Sequence, residues 1–137
     1  MPYSKEQIKA LLKWFRNDFF KWMDRPLCPN CNTSDKMERW GDATPTNEDR
    51  DFNATKIESY TCKDCKATVR FPRYNHPVKL FETQVGRSSE WANCFTAICV
   101  ALGYPSRKTF DWTDHAWTEI YLEDRWMHVD ASEQSLD

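Results

Sequence analysis

Two short cysteine pairs constrain this chain more than any other feature. Cys28-Pro-Asn-Cys31 and Cys62-Lys-Asp-Cys65 each put two thiols on one tight turn, and together they make the tetrahedral sulfur set that zinc prefers. The pairs are well separated in sequence, so the chain between them must fold back on itself. This predicts a small zinc module at about residues 26–66. A closed four-sulfur site has no open coordination position, so such a zinc would hold structure and not perform chemistry. The same spacing also suits a redox-active knuckle or four free thiols. Six cysteines would suggest disulfides in a secreted chain, but four of them in Cys-x-x-Cys pairs point to metal binding in a reducing compartment.

Around that module, 137 residues at 40% hydrophobic and 15% aromatic can bury one modest core, so a single domain over 1–137 is expected. A net charge of -2, with both signs interspersed, gives no footprint for nucleic acid or an anionic membrane. Protein or sugar partners are expected instead. No apolar run reaches the roughly 20 residues needed to span a bilayer, and no secretory pattern opens the chain, so a cytosolic or nuclear location is expected.

Ser4 and Gln7 fit a capping box, and Ile8, Leu11, Leu12, Phe15, Phe19, Trp22 and Met23 recur at helical spacing. They predict a helix from about Lys5 to Asp24, ended by Pro26. Gly41 to Glu48, between the cysteine pairs, has too few apolar residues for a core and reads as a surface loop. Ala67, Val69 and Phe71 alternate as a short strand ending at Pro72, and His76 reads as a loop residue.

The stretch Gly-Arg-Ser-Ser-Glu-Trp-Ala-Asn-Cys-Phe, Gly86 to Phe95, reads as a loop turning into a buried helix. Gly86 would supply an unusual backbone angle, Ser88 or Ser89 the N-cap, and Trp91, Phe95, Ile98 and Leu102 the buried stripe, with Gly103 and Pro105 as the stop. A helix N-terminus favours an anion, which is why thiol hydrolases keep nucleophiles there; here the position holds serine. Strands follow at Lys108–Trp112, His115–Leu122 and Arg125–Val129, with Glu123-Asp124 as a tight turn. Alternation puts His115, Trp117, Glu119 and Tyr121 on one face, and Trp126, His128 and Asp130 on one face of the next strand. A hairpin could then set Asp130 beside His115 as the carboxylate that orients a general base. A lone histidine on a strand is more often structural than catalytic, Trp117 and Trp126 are as readily packing aromatics, and Arg107 with Glu119 an internal ion pair.

The segment Gly86 to Phe95 closely resembles the peptide:N-glycanase signature Gly-Arg-Cys-Gly-Glu-Trp-Ala-Asn-Cys-Phe. Leu11 to Trp22, Phe52 to Tyr60, Arg70 to Pro77, Asp114 to Glu119 and Arg125 to Asp130 resemble further segments of that family in order. The resemblance implies an α+β, papain-like or transglutaminase-like core with a structural zinc. It also implies a cytosolic amidase that cuts N-glycans from asparagine on misfolded glycoproteins, with ubiquitin-shuttle and proteasome factors as partners by analogy. Carried over by position, Ser88 falls on the nucleophile, His115 on the base and Asp130 on its partner; Arg107, Trp117, Glu119 and Trp126 fall on the sugar groove. Cys28, Cys31, Cys62 and Cys65 fall on the zinc ligands. Three departures bear on the site: Ser88 and Ser132 stand where the family has cysteine, and Ser89 where it has glycine; Asn53 also replaces a family glycine, and asparagine is the next best residue at a positive φ. The family also continues, past the part matched by this chain, with further strands. Three readings stay open: an impaired glycanase core that still binds glycoprotein, an amidase using Ser88 as nucleophile, and a zinc-stabilised interaction module.

Overall fold

The computed structural model describes residues 4–136, in two compact units, one formed by the chain up to Trp22 with everything from Pro77 on, the other by Met23–His76. In the first, α1 (Lys5–Trp14) is capped by the Ser4 hydroxyl, which accepts from the Gln7 N–H at 3.2 Å. The capping box is only half made, because the Gln7 side chain accepts instead from the Tyr104 hydroxyl at 3.1 Å. The helix does not run to Asp24. It widens into a π-helical turn at Phe15–Phe19, closed by Phe20 N–H to Phe15 C=O at 2.7 Å, and Phe20 is already extended. The extra residue in that turn lets Phe15 and Phe20, five apart, stack at 5.1 Å and 9°. Both then pack edge-on to Trp91, at 5.4 and 5.2 Å, which an unbroken α-helix would not allow. After it, β1 (Lys21–Trp22) pairs in parallel with β5 (Val85–Gly86), just past α3 (Pro77–Thr83).

α4 (Ser88–Ala101) packs on the antiparallel sheet of β6 (Ser106–Phe110), β7 (Ala116–Leu122), β8 (Arg125–Asp130) and β9 (Ser135–Leu136), hydrogen-bonded in that order. The expected alternation holds: Ala116, Thr118, Ile120, Met127 and Val129 are buried, while Trp117, Glu119, Tyr121 and Trp126 face outward. Glu123 and Asp124 both have positive φ, 56° and 64°, as a two-residue hairpin turn demands. The first strand begins at Ser106, two residues earlier than expected, and Trp112 lies outside it. On α4 the buried stripe is Trp91, Phe95 and Cys99 with Ala92, whereas Ile98 is half-buried and Leu102 exposed. Steps of four fit this helix better than the expected drift to Ile98 and Leu102. Arg87, not a serine, is the N-cap, and Glu90 Oε1 accepts from its N–H at 2.8 Å. Gly86 is not needed for a left-handed angle; a Cβ there would lie 2.3 Å from Glu90 Cβ. Gly103 does have positive φ, 97°, at the helix end.

The second unit carries β2 (Met37–Ala43), α2 (Asn47–Asp51), β3 (Ile57–Cys62) and β4 (Thr68–Pro72), with the strands antiparallel in chain order. Its core is Cys28, Met37, Tyr60, Cys62 and Phe71. The expected loop at residues 41–48 is therefore a correction: β2 continues through a bulge near Trp40 to Ala43, and α2 begins at Asn47. The largely exposed strand is held by backbone pairing to β3, so it needs no apolar pattern of its own. α2 starts with a complete capping box, Asp49 N–H to Thr46 Oγ1 at 3.1 Å and Thr46 N–H to Asp49 Oδ2 at 2.8 Å. Asn53 has the expected positive φ, 61°, and the ring of half-buried His76 packs edge-on to Phe52 at 5.4 Å.

Asp49 is buried and also bonds the Arg70 guanidinium at 2.5 Å. Arg70 foremost, then the Thr46 N–H, hold its carboxyl below the usual carboxylate range against the opposing effect of burial. Because the folded pKa is lowered, the stabilisation is complete above the unfolded value of about 3.9 and is lost as pH falls through the folded value. Asp49→Ala is expected to cost about 2 kcal/mol, roughly one for the cap and one for the charged hydrogen bond. Urea melts at neutral pH should show that difference, and it should shrink on acidification; an unchanged midpoint would leave the cap without an energetic role.

Candidate active site and four-cysteine cluster

Ser88 is the first residue of α4 and is only 8% exposed. Its hydroxyl donates to the Asp114 carbonyl at 3.5 Å and accepts from the Ala116 N–H at 3.3 Å. It is thus bonded to the residues on either side of His115. Asp114 has positive φ, 65°. The turn is tied by Asp111 Oδ1, which accepts from the Thr113 N–H and hydroxyl and from the His115 N–H at 2.9, 2.6 and 3.3 Å. These bonds, the Thr113 hydroxyl first, hold the Asp111 carboxyl below its usual range.

His115 Nε2 lies 2.5 Å from Asp130 Oδ2 at the end of β8. Asp130 is buried, and its other oxygen accepts from the Ser132 hydroxyl at 2.8 Å, the Ser132 N–H at 3.1 Å and the Glu133 N–H at 3.4 Å. The carboxylate is therefore fixed by groups other than the imidazole it holds. With Nε2–H donated to Asp130, Nδ1 is the ring nitrogen left to accept a proton. Ser88, His115 and Asp130, singled out from the sequence, thus gather at one end of α4 and the sheet. Ser132 takes a place beside the carboxylate, while the Ser89 hydroxyl accepts from Lys108 Nζ at 2.9 Å.

Arg107, Glu119 and Trp126 form a second group on the outward face. Arg107 pairs with Glu119 at 2.7 Å and lies over the Trp126 ring at 3.9 Å from its centroid. Tyr121 packs edge-on to the same ring at 5.4 Å. Trp117 joins the groups, stacked between His115 at 5.9 Å and His128 at 4.9 Å.

A cavity of about 580 Å³ opens beside His115, lined also by Arg16, Phe20, Lys21, Trp22, Trp91, Ser132 and Glu133. Glu133 Oε2 comes within 3.7 Å of His115 Nε2. Arg16, Lys21, Trp22 and Glu133 are site residues that sequence reasoning missed. A 3.6-residue wheel splays Arg16 and Lys21, five residues apart, in different directions, and the π-helical turn and β1 bring both to the cavity.

The two cysteine turns are built alike. Cys28 N–H bonds Thr33 C=O at 3.0 Å and Asn32 N–H bonds Cys28 C=O at 2.9 Å; Cys62 N–H to Ala67 C=O and Lys66 N–H to Cys62 C=O, both 2.9 Å, repeat the pattern. Asn32 and Lys66 supply the positive φ each turn needs, 56° and 67°. All four sulfurs lie within 4.8 Å of one another, with Cys28 to Cys65 at 3.3 Å and Cys31 to Cys62 at 3.9 Å. Tetrahedral zinc with Zn–S of about 2.3 Å requires sulfur separations near 3.8 Å, so the set fits. The Cys31 N–H and Asn30 Nδ2 point at Cys28 and Cys65 sulfurs, at 3.4 and 3.5 Å. The Ala67 N–H foremost draws the Cys65 thiol down to about 6, while the neighbouring thiols, Cys28 first, push Cys31 up to about 12. One cluster cannot carry four thiolates without a cation to neutralise them.

With helix, antiparallel sheet and this site on the page, the class is defined: residues 39–131 match the Transglutaminase-like superfamily, and the chain belongs to it. Its fold is the α+β, transglutaminase-like one expected. More particularly, it is similar over nearly its whole length to proteins named peptide-N(4)-(N-acetyl-beta-glucosaminyl)asparagine amidase. Identity is 46% over 136 residues with that of Caenorhabditis briggsae, covering 98% of this chain and 22% of the relative. It is 46% over 132 residues with that of Gallus gallus, covering 95% and 20%. It is 44% over 138 residues with that of Candida glabrata, covering 98% and 40%. The chain thus spans between a fifth and two fifths of the length of these relatives.

Proposed function

We propose that this chain is a peptide:N-glycanase-type core, directed at the amide between an N-glycan and asparagine, in which Ser88 in the nucleophile position leaves hydrolysis absent or strongly impaired. The observation that carries the reading is the buried His115–Asp130 pair, with Ser88 bonded to the backbone on both sides of the histidine. In an amide-cleaving site of this kind, Asp130 fixes the imidazole, Nδ1 takes the nucleophile's proton, and the imidazolium returns it to the departing nitrogen. A thiol at a helix N-terminus ionises near neutral pH, whereas the Ser88 hydroxyl stays protonated until attack. It is engaged with Asp114 and Ala116, not with the imidazole. Arg107, Trp117, Glu119 and Trp126 are the proposed sugar-binding residues, and a zinc held by Cys28, Cys31, Cys62 and Cys65 the structural cofactor. N-glycosylated, misfolded proteins are the proposed partners, in a reducing cytosolic or nuclear setting that suits six cysteines without a disulfide among them.

Binding and turnover of a chitobiose-bearing glycopeptide test this together. Saturable binding without detectable deglycosylation is expected. Turnover that disappears in Ser88→Ala would identify a serine amidase instead, and no binding at all would leave an interaction module.

A further inference from the structure

We infer that Arg16 and Lys21 form an anion subsite in the cavity beside His115, which takes a carboxylate from an acidic residue next to the glycosylated asparagine of the polypeptide; this rests on the function proposed above. Both cations line the cavity. Neither makes an ion pair or side-chain hydrogen bond with any described residue, whereas most other Lys and Arg side chains near acidic groups in this unit are engaged, as Arg107 is with Glu119 and Lys79 with Glu82. Glu133 is the one acidic residue in the lining, and its carboxylate stands by His115, beyond ion-pair range of either cation.

A local device sets the two there. An α-helix continued past Trp14 would send Arg16 and Lys21, five residues apart, in different directions, since five steps of 100° are well short of two turns. The π-helical Phe15–Phe19 and the parallel pairing of Lys21 and Trp22 with Val85 and Gly86 put both at the rim of one cavity. π-helical insertions of this kind occur frequently at functional sites. Phe20, Trp22 and Trp91 supply aromatic walls, and His115, Ser132 and Glu133 a polar end, so the positive charge of the lining that is free to meet a carboxylate is that of Arg16 and Lys21. The cavity holds His115 but none of Arg107, Trp117, Glu119 or Trp126, the proposed sugar-binding residues, so the subsite is assigned to the polypeptide side of the scissile amide.

The test compares three glycopeptides with a common chitobiose: one with Glu beside the glycosylated asparagine and blocked ends, the same with Gln, and the Gln form with a free C-terminal carboxylate. The Glu form should bind roughly three- to tenfold more tightly than the blocked Gln form at low salt, in keeping with exposed ion pairs. The difference should fade as salt rises. In Arg16→Gln/Lys21→Gln, with Tm unchanged because both positions are exposed, the ratio should fall to about one. Equal Kd for the Glu and blocked Gln forms, or a ratio that survives the double substitution, overturns the subsite while leaving the function standing. A response to the free terminus alone overturns the assignment to an acidic side chain. Failure of every glycopeptide to bind overturns both inference and function.

Discussion

Stripping the proposed zinc from the four-cysteine cluster is expected to unfold β2, β3 and β4. Structural zinc contributes an apparent 10–16 kcal/mol of binding free energy at neutral pH, about as much as or more than a small domain's whole stability of roughly 5–15 kcal/mol. The cluster cannot be detached from the core it adjoins. Cys28 and Cys62 are buried in the same cluster as Met37, Tyr60 and Phe71, and Cys62 ends β3. Without a cation, sulfurs held within 4.8 Å would have to remain protonated or move apart. Elemental analysis should find about one zinc per chain. A strong chelator should remove hydrogen-exchange protection from the β2–β4 amides, and Cys62→Ser should reproduce the loss without chelator. Metal-free protein that keeps both its melting temperature and that protection would show the cysteines to be incidental to the fold.

The parts of this molecule that were legible beforehand are those fixed by short-range chemistry. Each Cys-x-x-Cys turn specifies its own backbone, so its geometry does not depend on the rest of the fold. The β7–β8 pair was equally readable, because a two-residue turn at Glu123-Asp124 fixes the register, and register with alternation puts His115 and Asp130 on one face. The misreadings lie where long-range packing overrides periodicity. Nothing in the stripe from Ile8 to Met23 announces that Phe15 and Phe20 will close around Trp91, and that closure converts a predicted long helix into a π-helical turn and a strand. The same event hid Arg16 and Lys21, whose place at the cavity exists only after the helix is broken. β2 was invisible for the opposite reason: its stability comes from pairing to β3, which a search for apolar alternation does not detect.

Replacing Ser88 by cysteine is expected to raise deglycosylation of a denatured glycoprotein by at least about a thousandfold. Losing the nucleophile of a hydrolase triad costs on the order of a millionfold, since its members act as a unit; serine is a milder change than deletion, which sets the lower figure. On the function proposed above, the other members of the site are in place. Asp130 is buried and fixed by the Ser132 and Glu133 backbone, His115 is held by it at 2.5 Å, and Trp117 stacks on the ring. What is missing is an acidic nucleophile. A thiol in the first turn of α4, at the positive end of the helix dipole, can form a thiolate near neutral pH, as a hydroxyl cannot. A sulfur is also a poorer hydrogen-bond partner for Asp114 and Ala116, which now occupy the Ser88 hydroxyl, so the substitution should free the nucleophile as well as acidify it. Adding Ser89→Gly tests crowding beside the nucleophile. The Ser89 hydroxyl is taken up by Lys108 at 2.9 Å, so any gain from relieving it should be small beside the gain from the thiol. His115→Ala in the Ser88→Cys background should return the rate to that of the parent, with glycopeptide Kd little changed. A Ser88→Cys protein that binds glycopeptide and is alkylated no faster than an ordinary cysteine, with no turnover, would refute the claim that His115 and Asp130 are poised to activate a nucleophile at this position.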